Sequence, residues 1–148
     1  MAALAVVLAG CSGGSGDDAA GTGTGCPSPS SAPPAETALL PAGLSFDDIG
    51  TVTHVESAND HVTVHAVSTK PLDEVTVLIQ DAVTAAGYRP AGMDNEGDEA
   101  EVFFNLGSFA AGQAELREAD CEGQWNIDLE LIEPDAVPSS TAVPTTTT

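Results

Sequence analysis

A single change of period governs what this chain can fold into. Between Leu72 and Ala86 the apolar residues Leu72, Val75, Leu78, Ile79, Ala82, Val83 and Ala86 recur at three- and four-residue steps. That spacing draws one stripe along a helix of about four turns. Pro71 suits the first helical turn, Asp73 and Glu74 favour the positive end of the helix dipole, and Gly87 is a natural left-handed stop. On both sides of the helix the pattern reads at a period of two. A lone amphipathic helix must bury its stripe against the sheet that such strands build.

The strands before the helix are expected at Thr51–Glu56 and His61–Val67. The first is β-branched, and the second puts Val62, Val64 and Ala66 on one face. With Ser57-Ala58-Asn59-Asp60 between them they read as a hairpin with a four-residue loop, which pairs Glu56 with His61. After the helix come Tyr88–Met93, an acidic turn around Asn95–Asp98, and Glu99–Asn105. Gln113–Glu118, a turn at Asp120–Gly123 and Gln124–Ile132 complete the set. In the last strand Trp125, Ile127, Leu129 and Leu131 share one face and Asn126, Asp128 and Glu130 the other, as in an antiparallel sheet with one side wet. The order ββαββββ predicts an α+β domain over residues 46–133, mostly antiparallel, with the helix packed on one face.

The flanks differ in composition. Residues 11–45 are rich in Gly, Ser, Thr, Ala and Pro and read as a flexible tether, stiffer near Pro27, Pro29, Pro33 and Pro34. Residues 134–148 form a Pro/Ser/Thr tail ending in four threonines. Ahead of the tether, Ala2 to Ala9 carries no charged or polar side chain. It is too short to span a bilayer, which takes about 20 helical residues, but it suits the h-region of an export signal.

That run ends in Leu8-Ala9-Gly10-Cys11, which resembles the lipobox of bacterial lipoproteins. The layout as a whole resembles small secreted lipoproteins of high-GC Gram-positive bacteria. The resemblance implies that residues 1–10 are removed and that the Cys11 sulfur carries a diacylglyceryl thioether. Cys11 then becomes the N-terminus of a 138-residue mature chain on the extracytoplasmic face of the cell membrane. No Lys or Arg precedes the apolar run, so a basic segment is expected upstream of Met1. With Cys11 lipidated, Cys26 and Cys121 remain as an even pair in an oxidising compartment, and a disulfide between them is expected.

Charge narrows the partners. Twenty-three acidic residues stand against Lys70, Arg89 and Arg117, a formal charge of −20. Such a surface repels nucleic-acid phosphates and anionic lipid headgroups, so no nucleic acid is expected. The expected contacts are the membrane, through the lipid on Cys11, and an extracytoplasmic protein partner.

Three constellations bear on chemistry. On the expected register His54, His61 and His65 share the wet face with Glu56, an imidazole–carboxylate patch suited to Zn²⁺ or Cu²⁺. Solvated strand faces are the plainer reading. The run Asp94-Asn95-Glu96-Gly97-Asp98-Glu99 invites calcium, but its fourth-position Gly and the Asn105 at position twelve break the EF-hand spacing. It reads as a solvated turn. No nucleophile elbow, phosphate loop or dinucleotide fingerprint is present. A non-enzymatic protein without a cofactor is therefore expected. Phe103 faces away from Val102 and Phe104, and is expected either in a satellite cluster with Phe109 or in a partner-binding patch.

Overall fold

A computed structural model describes residues 26–133 of the chain. The signal-like run, Cys11, the tether up to residue 25 and the tail from residue 134 lie outside the described residues. The elements are α1 (Pro34–Thr37), β1 (Thr51–Ala58), β2 (His61–Ser68), α2 (Leu72–Ala85), β3 (Arg89–Asn95), β4 (Glu99–Leu106), β5 (Phe109–Glu118) and β6 (Trp125–Ile132). The strands form one antiparallel six-stranded sheet in the order β1-β2-β6-β5-β4-β3. The β-rich α+β architecture expected from the period change is the architecture found. No helix among the described residues is long and apolar enough to cross a membrane.

One face of the sheet carries the core. Val55, Val62, Val64, Val102, Phe104, Leu116, Ile127, Leu129 and Leu131 are all but inaccessible to solvent, and so are Val75, Ile79 and Val83 from the α2 stripe. Helix α2 lies across this inner face closest to β3 and β4. It ends in a Schellman motif. Gly87 takes φ +94°, the Tyr88 amide donates to the Val83 carbonyl at 3.0 Å, and the Gly87 amide donates to the Thr84 carbonyl at 3.0 Å. Tyr88 is then carried into the core, where its hydroxyl donates to the Ile132 carbonyl at 2.7 Å. Burial and the nearby Glu133 carboxylate raise the Tyr88 pKa above the ordinary tyrosine value.

The folded unit starts well before Phe46, which corrects the expected extent of the tether. Cys26 is joined to Cys121 with their Cα atoms 5.6 Å apart. The Ala32 amide donates to the Val52 carbonyl at 2.7 Å, partly covering the exposed edge of β1. Ala32 and Leu44 are buried, and Leu44 joins Phe46 and Ile49 in the main core. Leu44 enters the core and Leu40 packs against it, within an otherwise small and polar composition, and the disulfide ties the start of the segment to the turn before β6.

The hairpin β1–β2 also differs from expectation. Its loop has two residues, Asn59 and Asp60, at φ 53° and 64°. This is the doubly left-handed turn whose twist matches the flanking strands. Ser57 and Ala58 therefore stay in β1, opposite Val62 and His61. A register shift between Val52 and His54 changes the pairing at the other end.

Candidate functional site

The wet face of the sheet holds the polar chemistry. With the observed register, His54 lies opposite His65 and Glu56 lies opposite Thr63. The row containing the two histidines crosses every strand: His54, His65, Asp128, Glu115, Glu101, Asp94. Neighbouring strands lie about 4.8 Å apart, so four carboxylates stand side by side at a spacing that disfavours like charges. Arg117, next to this row, bridges Glu99 at 3.3 Å and also pairs with Glu115. Glu99, Glu101 and Glu115 converge closely enough to share an ion, but the Arg117 guanidinium already neutralises part of that cluster. Glu99 ends the acidic run expected as a solvated turn, whereas Glu101 and Glu115 carry no spacing signal in the sequence.

Of the four residues expected to hold a metal, two come together. The His54 and His65 rings are nearly parallel, 13° between planes, with centroids 5.9 Å apart. Each is fixed by a carboxylate. His54 Nδ1 lies 2.6 Å from Glu36 Oε2, and His65 Nδ1 lies 2.5 Å from Asp128 Oδ1. An ionised carboxylate only accepts hydrogen bonds, so in both pairs Nδ1 carries the proton and donates it. Both rings keep about half their surface in solvent, 51% for His54 and 41% for His65.

His61 is the correction to the expected set. It sits beside the turn opposite Ala58, four residues from His65 on one strand, which is about 13 Å at strand rise. Glu56 shares the wet face but makes no hydrogen bond to either ring. Their place is taken by Glu36, from α1, and Asp128, from β6. Neither partner was legible from spacing, because they lie 18 residues from His54 and 63 residues from His65 in sequence.

Glu36 has a second role. Its Oε2 also accepts the Val55 amide at 3.1 Å, which pins α1 to the edge strand. That backbone hydrogen bond, reinforced by the His54 side chain, lowers the Glu36 pKa below the ordinary glutamate value. A carboxylate with a lowered folded-state pKa stabilises at pH above its unfolded value and loses that contribution as pH falls through the folded one. In an NMR pH titration the Val55 amide is expected to follow a carboxylate that titrates below the ordinary range. Glu36→Gln should abolish the step. A Val55 amide that titrates at the ordinary glutamate pH contradicts this reading.

The acidic run at residues 94–99 closes the β3–β4 hairpin: Asp94 and Asn95 end β3, Glu99 begins β4, and the turn itself is residues 96–98. The Gly97 amide donates to Asn95 Oδ1 at 2.9 Å and the Glu96 amide to the Glu99 carbonyl at 2.9 Å. Phe103 is on the wet face, 38% exposed. It lines a shallow cleft of about 310 Å³ with His61, Gln113, Glu130 and Ile132. No family model, curated protein or solved structure matches the chain.

Proposed function

We propose that the protein is a lipid-anchored, extracytoplasmic binding module without catalytic activity, held to the membrane through a diacylglyceryl thioether on Cys11. The observation that supports this reading is the pairing of Cys26 with Cys121. Disulfides persist in oxidising compartments outside the cytoplasm. Of the three cysteines in the chain, the pairing takes up two, and the remaining one stands at the end of Leu8-Ala9-Gly10-Cys11. A non-catalytic role is supported by the open sheet face, where the two histidines are each tied to a carboxylate and, among the described residues, no serine or cysteine hydrogen-bonds to them. The strongly acidic surface argues against nucleic acid as the partner.

The test is Cys11→Ser in intact cells supplied with a labelled fatty acid. The wild-type chain should carry label and sediment with membranes. The variant should lose the label and remain unprocessed or leave the membrane fraction, since stable anchoring takes two or more acyl chains. Label retained by Cys11→Ser would overturn the assignment.

A further inference from the structure

We propose that His54 and His65 form a two-histidine site for a divalent transition-metal ion, Cu²⁺ or Zn²⁺, on the outer face of β1 and β2. The inference is independent of anchoring at Cys11.

The first support is the fixed tautomer. Because Nδ1 of each ring donates to a carboxylate, Glu36 for His54 and Asp128 for His65, the neutral imidazoles keep their lone pairs on Nε2. Metal-binding histidines are characteristically held this way, with the distal nitrogen bonded to a carboxylate that sets ring orientation and raises ligand basicity. Here both members of the pair have that partner, and the two carboxylates come from different elements of the fold.

The second support is separation. An imidazole nitrogen binds Zn²⁺ at about 2.0–2.1 Å, so two rings on one ion have centres about 4.5 Å apart at a right-angled bite and about 6.4 Å when opposed. The observed 5.9 Å falls inside that interval. The half-exposed rings leave the remaining positions to water or a ligand from a partner. Imidazole nitrogen is a borderline donor that selects copper and zinc over calcium and magnesium.

The surroundings favour a cation. Glu56 occupies the neighbouring cross-strand row, and Asp128 continues into Glu115 and Glu101. The nearby cation, Arg117, is engaged by Glu99 and Glu115.

The experiment titrates Cu²⁺, and separately Zn²⁺, into the purified full-length chain without an affinity tag, read by calorimetry and by histidine NMR signals. One ion per chain is expected, with the earliest changes at the His54 and His65 rings. His54→Ala and His65→Ala should each weaken binding at least tenfold. Asp128→Asn, which removes the charge holding His65, should weaken it about tenfold. His61→Ala and Glu115→Gln should leave it within twofold. Unchanged amide spectra in the β6 core would certify the fold of each variant. Absence of saturable binding overturns the proposal. So does binding that Glu115→Gln weakens and His65→Ala does not, which would move the ion to the acidic cluster, or equal losses from His61→Ala and His65→Ala.

Discussion

Replacing Cys121 with serine is expected to lower the unfolding free energy by about 4–5 kcal/mol by the chain-entropy relation for a closed loop of this length. The bond joins residues 95 apart in sequence. A small domain has a total stability of about 5–15 kcal/mol, so the loss would bring the variant close to its unfolding threshold at 37 °C. Trp125, the only tryptophan, sits just past Cys121 and packs partly against the core. Its fluorescence therefore reports the transition directly. Urea unfolding with and without a reductant should show a large drop in midpoint for the native chain and none for Cys121→Ser. Limited proteolysis of the reduced protein should cut first between residues 26 and 45, whose attachment to the sheet the bond reinforces. A reductant effect below about 1 kcal/mol would contradict the prediction, because it falls under the usual range for native disulfides of small domains.

Phe104→Ala is expected to cost about 3–5 kcal/mol, the range for deleting a fully buried phenylalanine ring. Phe104 is 1% exposed, on an inner-face strand crossed by α2. Its immediate neighbour provides the control. Phe103 points to the wet face and is 38% exposed, so Phe103→Ala should cost less than about 1 kcal/mol, the loss of a partly hydrated ring. Denaturant midpoints of the two variants should separate widely at unchanged slope. Equal losses would mean that β4 presents its faces differently from the observed pairing.

That contrast also explains what the sequence could reveal. Alternation is a local property, and residues such as Val102, Phe104, Ile127 and Leu129 declared their face without reference to any other strand. The α2 stripe and its Gly87 stop were legible for the same reason. The hairpin register depended on a subtler signal. Four successive turn-type residues, Ser57 to Asp60, were consistent with a four-residue loop, whereas Asn59 and Asp60 tolerate left-handed backbone and close the turn alone. Two residues of register then moved His54 from opposite Thr63 to opposite His65. The candidate site therefore stood in the sequence as four residues of which two belong together. Its carboxylates, Glu36 and Asp128, are brought in by long-range contacts that no spacing rule encodes. The start of the domain was hidden by composition, since few large apolar groups in residues 26–45 suffice when a covalent bond holds the segment down.

The same bond has a mechanical consequence. A pull delivered through the N-terminus reaches Cys26 and crosses the disulfide to Cys121, bypassing residues 27–120. The histidine pair, α2 and strands β1 to β5 lie inside that closed loop and receive no tension along their own backbone. A load between the chain ends would fall on β6 alone, which lies between β2 and β5 and would have to be drawn out from between two neighbours. Tension on the N-terminal side thus bypasses the backbone of β1 and β2, which carry His54 and His65, and reaches the wet face only through Asp128 on β6.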